Sequence, residues 1–249
     1  MELGTPIAIG NTAKIYLHEN KIYKLFNDYL PNTESSYEAN KQGYAYSCGL
    51  SVPKVIDVTK INGKQTIIME YIKGRLLGVL IKNDVKHAKE YISVFVDVQQ
   101  NIHQIIADDL EPMSKKLRRQ IRSAHHLDER LKTALLQKLD SISFANRLCH
   151  GDYHPFNIIV GDHKNRVIDW VDASSGDMRA DVYRTYLLCC QFSTELAEMY
   201  VHFYCEQSGW SECDIFQWAP IIAAARLSEI VSSEKSGRLI DIINHDYPL

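Results

Sequence analysis

Residues 148–177 gather side chains that can serve acid–base chemistry, metal binding or phosphoryl transfer. This segment, LCHGDYHPFNIIVGDHKNRVIDWVDASSGD, contains five aspartates and three histidines within thirty positions. Two short apolar runs, Ile158–Val160 and Arg166–Ile168, flank the loop GDHKN, whose residue types favour turns. The pattern predicts a β-hairpin whose open end carries the polar side chains.

The predicted hairpin brings two oxygen-bearing side chains together. A hairpin symmetric about His163 pairs Ile158 with Ile168 and therefore places Asn157 directly opposite Asp169. Residues paired in this way have Cβ atoms roughly 4.5–5.5 Å apart, which is close enough to share one cation. Because amide and carboxylate oxygens suit a hard cation such as Mg²⁺, we expect a magnesium site here.

The short sequence HGDYH at residues 150–154 leaves other functions open. Asp152 lies in the loop that leads into the hairpin, so it would join the same polar group. His150, Asp152 and His154 would alternatively form the metal site of a hydrolase, although no further His, Cys or Glu stands at a typical ligand spacing. A nucleotide-binding module without catalysis is a third alternative.

Three motifs in this region resemble those of a known enzyme family. HGDYHPFN at 150–157, VIDW at 167–170 and GDMRADVY at 176–183 are similar, in order and spacing, to motifs of the aminoglycoside phosphotransferase and choline kinase superfamily. The resemblance implies a two-lobed α+β fold similar to that of protein kinases, with a small β-rich N-terminal lobe and a larger helical C-terminal lobe. It also implies transfer of the γ-phosphoryl group of ATP or GTP to a hydroxyl of a small molecule, such as an aminoglycoside, amino sugar, amino alcohol or sugar.

The resemblance further implies roles for individual residues, by analogy with the catalytic and metal-binding segments of protein kinases. Asp152 is expected to be the catalytic base that deprotonates the acceptor hydroxyl. Asn157 and Asp169 are expected to bind Mg²⁺. His150 would support the loop by hydrogen bonding, and Asp181 would brace it from the following helix.

Two positions depart from the usual pattern of that superfamily. Phe156 stands where many relatives have glycine, and Val171 stands where relatives often have an acid. Both are expected to affect the acceptor side, which we place between helices predicted at 84–109 and 190–235. The acidic residues considered as partners for an amine of the acceptor are Asp172, Glu229 and Glu234.

The N-terminal segment supplies a candidate donor site. No G-x-x-x-x-G-K-[ST] sequence occurs, so the chain is not a P-loop protein. The sequence IAIGNTAKIYLHENKIYKLF at residues 7–26 predicts three strands. The first turn, which contains Gly10, Asn11 and Thr12, would cover phosphate groups with its backbone N–H groups.

Lys24 is the candidate to contact the donor phosphates. With the second turn at His18–Asn20, the third strand runs back and brings Lys24 beside Lys14, next to the first turn. A lysine on an inward face needs an anionic partner. Glu38 on the following helix is the expected partner, with Glu34 as the competing candidate.

The segment IIMEYIKG at residues 67–74 is interpreted as the hinge between the lobes. The backbone from Glu70 to Ile72 would hydrogen-bond a purine, and Met69 would line its pocket. A buried strand that runs into a loop is the alternative interpretation.

The composition is that of an ordinary soluble protein. Of the 249 residues, 45% are hydrophobic and 24% are charged, and the net charge is −3, which gives no reason to expect nucleic acid or a membrane as partner. The six cysteines form no C-x-x-C pair, so we expect reduced thiols. With no apolar run of membrane-spanning length and no signal peptide at the start, we expect a cytoplasmic protein.

Periodicity divides the chain into a β-rich part and a helical part. One helix is predicted before residue 73, from Thr33 to Cys48, and it is ended by Gly49. The hydrophobic spacing then predicts helices at 84–109, 114–139, 180–191, 194–207 and 212–232. We therefore expect an N-terminal nucleotide-binding lobe at residues 1–72 and a catalytic and acceptor-binding lobe at residues 73–249.

Overall fold

The computed structural model describes residues 2–162, 164–229 and 236–247. His163, on which the predicted hairpin was centred, and Glu234 lie outside them. The described strands are β1 (Ala8–Ile9), β2 (Ala13–His18), β3 (Lys21–Phe26), β4 (Val55–Ile61), β5 (Lys64–Glu70), β6 (Arg75–Leu76), β7 (Arg147–Cys149), β8 (Ile158–Val160), β9 (Asn165–Val167) and β10 (Ser174–Gly176). The described helices are α1 (Glu34–Ser47), α2 (Leu77–Asn83), α3 (Ala88–His103), α4 (Met113–Ser123), α5 (Glu129–Ser141), α6 (Met178–Cys189), α7 (Thr194–Ser208), α8 (Glu212–Phe216), α9 (Ala219–Arg226) and α10 (Ser236–Asp246).

The chain divides into two compact units. The first comprises Met1–Val85 and Pro155–Asp172, and the second comprises Lys86–His154 and Ala173–Leu249. The first unit therefore contains the hairpin of β8 and β9 as well as the N-terminal strands. The predicted lobe boundary after residue 72 stays a prediction.

The first unit is built on a five-stranded antiparallel sheet in the order β1-β2-β3-β5-β4. The three strands predicted for residues 7–26 are confirmed. The turn between β2 and β3 contains only Glu19 and Asn20, both with positive φ (47° and 58°), as a tight hairpin turn requires. Helix α1 covers the sheet, in agreement with the helix predicted there, and its inward face joins a core of Ala13, Phe26, Ala39, Ile67 and Met69.

The second unit is largely helical, and its helices begin and end differently from several predictions. The helix predicted at 84–109 ends at His103, because the following residues pair with β7: the Leu148 N–H donates to the Ile105 carbonyl at 2.9 Å. The helix predicted at 114–139 is two helices, since Asp128 caps a new one by accepting the Leu131 N–H at 2.7 Å. The helix predicted at 212–232 is likewise divided into α8 and α9 within its described residues 212–229, and a proline stands in the first turn of α9. Residues 230–232 of that prediction lie outside the described residues. Helices α2 and α10 were not expected from the sequence.

None of the described helices combines the length and apolar character that crossing a membrane requires.

Gly78 in α2 permits a close approach within the first unit. A Cβ atom at this position would lie 2.7–2.8 Å from three ring atoms of Phe156, well inside van der Waals contact. Phe156 belongs to the 3₁₀ turn Pro155–Asn157, which leads into β8. The backbone of α2 and the aromatic ring therefore pack without an intervening side chain.

This contact predicts a specific coupling between the two positions. Gly78→Ala should destabilise the protein by roughly 1–3 kcal/mol because the Phe156 ring must move. In a Phe156→Gly background the same change should cost little, since alanine is the better helix former. Urea unfolding of the wild type, both single variants and the double variant would measure the coupling free energy. Additive effects would contradict the proposed contact.

Candidate active site

Lys24 lies at the centre of a buried ion-pair group in the first unit. Its Nζ atom is 2.6 Å from Oε1 of Glu38 on α1 and 3.1 Å from Oδ1 of Asp169, which follows β9. Glu38, and not Glu34, is therefore the partner on the helix. The ion pair expected from the sequence is present, and Asp169 is an additional partner that was not expected.

The register of Lys24 differs from the prediction by one position. Lys24 pairs with Ile15, and Lys14 pairs with Leu25. The prediction was wrong because it assumed a three-residue turn at His18–Asn20, whereas the turn contains two residues and His18 pairs with Lys21. The shift leaves Lys24 on the inward face of the sheet.

Burial and charge act against each other in this group. Burial would lower the pKa of Lys24, but the negative charges of Asp169 and Glu38 and their hydrogen bonds raise it above its ordinary value. Burial raises the pKa of Glu38 to about 7, against the opposing effect of Lys24. Lys24 therefore stays charged at neutral pH, and its two acceptors hold the ammonium in one position.

An apolar cleft of about 350 Å³ opens beside Lys24. All the residues that line it belong to the first unit. Aliphatic side chains from the five-stranded sheet form one part, and Lys24, Glu38 and Asp169 form a charged part. The remaining residues include the end of β5, the segment that follows it as far as β6, and the hairpin region: Met69, Glu70, Tyr71, Ile72, Leu76, Phe156, Ile159 and Ile168. The cleft thus combines apolar walls with one ammonium and the two carboxylates paired with it.

The residues predicted to hold a purine and the phosphates differ in their placement. Met69, Glu70 and Ile72 line the cleft. Gly10, Asn11 and Thr12 form an exposed turn between β1 and β2, closed by a 2.9 Å hydrogen bond from the Gly10 N–H to the Ala13 carbonyl. The flanking residues Ala8 and Ile15 reach the cleft lining.

Phe156 also lines this cleft, together with Lys24 and Asp169, and its ring packs against Gly78. Its expected effect on the acceptor side stays a prediction. The carbonyl of Val171, the other position that departs from the superfamily pattern, accepts a hydrogen bond from Nζ of Lys41 at 2.7 Å.

The hairpin between β8 and β9 has a different register from the predicted one. Ile158 pairs with Val167, not with Ile168, because Asn165 extends β9 and shortens the loop. Asn157 is therefore not directly opposite Asp169. Instead, the Ile168 N–H donates to the Asn157 carbonyl at 3.0 Å, which holds Asn157 next to the residue that precedes Asp169.

Asn157 and Asp169 fit the requirements of a hard cation. Their side chains offer an amide oxygen and a carboxylate, which are oxygen ligands of the kind that Mg²⁺ takes in proteins. Asn157 is buried, whereas the Asp169 side chain is 39% exposed. Asp169 has a φ of +65°, a left-handed conformation that is uncommon for residues other than glycine and that occurs at functional sites.

The second unit holds the loop with the predicted base. Asp181 on α6 accepts the backbone N–H groups of His150 and Gly151 at 3.2 and 2.8 Å. It also accepts hydrogen bonds from Nε2 of His103 at 3.0 Å and from the side-chain amide of Gln99 at 3.2 Å. Asp181 therefore holds the backbone of the loop by hydrogen bonds, as expected from the sequence.

These donors determine the ionisation of Asp181. Burial alone would raise the pKa of the carboxyl, but the hydrogen bond and charge of His103, together with the hydrogen bond from the Gly151 N–H, lower it to about 2. Asp181 is thus a buried anion with a complete set of donors, as a buried charge requires.

His150 is fully buried and its Nδ1 atom accepts the Asp152 N–H at 3.2 Å. The proton of the neutral ring must then be on Nε2. Asp152 itself is accessible, since its side chain is 26% exposed, and His154 Nε2 lies 3.6 Å from its Oδ2 atom. A carboxylate on a loop fixed by backbone hydrogen bonds can take a proton from a bound hydroxyl.

The structure gives no support for the alternative hydrolase site. Among the described residues, His150, Asp152 and His154 do not form a group whose ligand atoms lie close enough to hold one ion. His103, Cys149 and Asp181 do lie close together. Burial raises the pKa of the Cys149 thiol well above its ordinary value. The two ring nitrogens of His103 already have hydrogen-bond partners, Tyr204 and Asp181.

Gln99 and His103, which contact Asp181, were not expected from the sequence. Both are buried and are four positions apart on α3, among residues that form its apolar face. Two polar side chains at helical spacing on a buried face were the available signal, because such groups require buried partners.

A family model for the phosphotransferase enzyme family, abbreviated APH, matches residues 4–216. The chain belongs to this family. No curated protein sequence matches it significantly.

Solved structures of phosphotransferases share its fold at low sequence identity. A thermostable mutant of aminoglycoside phosphotransferase APH(4)-Ia, in ternary complex with ADP and hygromycin B, has a TM-score of 0.70 and 12% identity, with coverage of 98% of this chain and 94% of the other. A choline/ethanolamine kinase family protein from Mesorhizobium loti has a TM-score of 0.65 and 12% identity over 97% and 85% of the chains. Amicoumacin kinase hAmiN, in complex with AMP-PNP, Ca²⁺ and Ami, has a TM-score of 0.63 and 14% identity over 97% and 85%. This member of the phosphotransferase family therefore has the α+β kinase-like fold.

The ionisation of Asp181 generates a pH-dependent prediction. Its pKa in the folded protein is about 2, below the ordinary value of 3.8, so the ionised form stabilises the fold above the ordinary pKa. This contribution, about 2 kcal/mol, is lost as the pH falls through about 2. Asp181→Asn should therefore lower the free energy of unfolding at pH 7, and the difference from wild type should shrink below pH 4.

Urea unfolding between pH 2.5 and 7 would measure this difference. Asp162→Asn is the matched control, because Asp162 is exposed and its change should leave the stability unaltered. An Asp181→Asn deficit that is the same at every pH would show that the charge of Asp181 is not stabilising.

Proposed function

We propose that this phosphotransferase is a small-molecule kinase that moves the γ-phosphoryl group of ATP or GTP to a hydroxyl group. The observation that carries the proposal is the buried Lys24, which Glu38 and Asp169 hold at the charged part of an apolar cleft. A permanently charged ammonium beside a cleft for a flat apolar group matches the needs of a nucleoside triphosphate.

Each part of the donor has a proposed place in the first unit. The purine occupies the apolar part of the cleft, beside Met69 and the backbone of Glu70–Ile72. Lys24 contacts the phosphate groups, and the exposed turn at Gly10–Thr12 lies over them. Asn157 and Asp169 would hold Mg²⁺, which would neutralise negative charge on the phosphate groups.

The transfer step is assigned to the loop of the second unit. Asp152 orients the acceptor hydroxyl and accepts its proton as the oxygen attacks the γ-phosphorus. The bond from this phosphorus to the bridging oxygen breaks, and the nucleoside diphosphate leaves with that electron pair. Asp181 and His150 take no proton in this scheme, and they keep Asp152 in position through the hydrogen bonds of the loop backbone.

The proposed acceptors are small hydroxyl compounds that include aminoglycosides, amino sugars, amino alcohols and sugars. Structures with the same fold contain hygromycin B and Ami, which supports this class without selecting a member. Glu229 is withdrawn as a partner for an acceptor amine, because its carboxylate accepts hydrogen bonds from Arg184, Arg226 and Gln120.

Removal of Lys24 tests the donor site. Lys24→Ala should raise the KM for ATP or lower kcat by about 10- to 100-fold, the effect of losing a hydrogen bond to a charged group. The KM for the acceptor should change little. Lys14→Ala is the matched control, since Lys14 is exposed on the neighbouring strand. Equal kinetics for both variants, measured by coupled ADP release, would remove Lys24 from the donor site.

Replacement of Asp152 tests the reaction itself. The wild type and Asp152→Asn should be incubated with Mg²⁺, ATP or GTP, and a panel of amino sugars, amino alcohols and sugars. Turnover of any accepted compound should fall by about 10²–10⁴-fold in the variant, while the affinity for nucleotide stays within about twofold. A variant that turns over at nearly the wild-type rate would rule out Asp152 as base. Tight nucleotide binding by the wild type without transfer to any compound would favour the non-catalytic module.

A further inference from the structure

A second network of buried charges contacts the loop of the second unit. Glu229, three residues after α9, accepts hydrogen bonds from both terminal nitrogens of Arg184 at 2.8 and 3.1 Å. It also accepts Nη1 of Arg226 at 2.5 Å and the side-chain amide of Gln120 at 2.9 Å. Arg184 and Arg226 are only 8% and 7% exposed. One carboxylate thus receives hydrogen bonds from two buried guanidinium groups.

The third nitrogen of Arg184 reaches the candidate catalytic loop. Its Nε–H donates to the carbonyl oxygen of Gly151. Arg184 stands one turn after Asp181 on α6, and Asp181 accepts the Gly151 N–H. A single helix therefore contacts Gly151 through its N–H and through its carbonyl group.

These contacts fix one particular peptide plane. The Gly151 carbonyl and the Asp152 N–H belong to the same planar peptide unit. Arg184 holds the carbonyl end, and Nδ1 of His150 accepts the N–H end at 3.2 Å. Gly151 has a φ of +79°, and a glycine can change its backbone angles more easily than any other residue. Without the contact from Arg184, the carbonyl end of this peptide loses the hydrogen bond that Nε–H donates to it.

The chemistry of the contact requires an arginine. A guanidinium group can give two parallel hydrogen bonds to a carboxylate and still offer Nε–H to another acceptor, whereas an ammonium is a single point of charge. Glu229 fixes the plane of the guanidinium and so determines the direction of its Nε–H group. Glu229 lies beyond the residues that the family model matches.

We propose that Arg184, oriented by Glu229, is a positioning residue that holds the Gly151–Asp152 peptide plane and thereby directs the Asp152 carboxylate. Its effect on turnover rests on the proposed function, in which Asp152 is the base. Its effect on the loop backbone does not depend on that function. The two effects can therefore be measured separately.

The first measurement is hydrogen exchange of a fragment that covers residues 147–154, followed by mass spectrometry. Arg184→Lys keeps a positive charge but loses the forked geometry, and Glu229→Gln keeps the size but loses the charge that orients Arg184. Both variants should increase the exchange rate of this fragment by at least about tenfold. Arg179→Lys is the matched control, because Arg179 stands on the same helix and pairs with Asp177. It should leave the exchange of the fragment unchanged.

The second measurement separates positioning from donor binding. With Mg²⁺-ATP and the best acceptor of the panel, kcat should fall by about 10- to 100-fold in Arg184→Lys, and the KM for ATP should stay within about twofold. The double variant Arg184→Lys and Glu229→Gln should have the same kcat as Arg184→Lys alone. Both changes remove the same contact, the hydrogen bond from Arg184 to the Gly151 carbonyl.

The outcomes decide the proposal in either direction. Unchanged exchange in folded Arg184→Lys and Glu229→Gln, as judged against the control, would overturn it. Faster exchange with unaltered kcat would also overturn it, because the residue would then be only structural. If Arg184→Lys does not fold, Glu229→Gln is judged by the same criteria. If the wild type phosphorylates no compound, that failure belongs to the proposed function, and the exchange rates alone decide whether Arg184 holds the peptide plane.

Discussion

A charge inside a protein is costly unless its hydrogen-bonding capacity is used, and this constraint organises both units. In the first unit, the ammonium of Lys24 draws Glu38 from α1 and Asp169 from the end of the hairpin to one point. In the second, the carboxylate of Asp181 collects donors from α3 and from the loop after β7. Each buried charge thereby fixes elements that are distant in sequence. The same groups that would be destabilising alone define the geometry available for chemistry.

The proposed machinery is divided between the two units. The chain passes from the second unit to the first between His154 and Pro155, within the motif HGDYHPFN. Asp152 therefore belongs to the helical unit, whereas Asn157 and Asp169 belong to the unit with the five-stranded sheet. Each unit positions its own residues by internal contacts, through Lys24 in one case and Asp181 in the other. This division explains why a single short motif contains residues with different supporting networks.

The sequence predicted features that depend on local pattern and residue type. The three N-terminal strands, α1 and the need of Lys24 for an anionic partner follow from alternation, helix signals and the cost of an unpaired buried lysine. The choice of Glu38 over Glu34 rested on the family resemblance. The pairing registers were each wrong by one residue, because they depend on how many residues the turn contains, and residue types alone do not determine this number. The position at which α3 ends depends on the pairing of the following residues with β7. This contact joins Ile105 and Leu148, which are about 40 positions apart.

Prediction of the candidate site from the sequence was limited in the same way. Asp152, Asn157, Asp169 and Asp181 were recognisable because they belong to short motifs. The network of Arg184 with Glu229 joins residues 45 positions apart, and a single sequence shows no pattern for it. The direction of the Phe156 side chain was also not predictable, because it depends on the absence of a side chain at Gly78 in another element.

The position of Phe156 has a consequence for the pharmacology of the cleft. Many members of the superfamily are expected to have glycine there, which would leave that part of the proposed nucleotide site open. Here an aromatic ring narrows the cleft and is supported from behind by α2. A competitive inhibitor with a bulky substituent directed into the open space of those relatives would collide with the ring in this protein. A slim, planar compound able to stack on the ring would gain contact area here that the glycine-containing relatives do not offer.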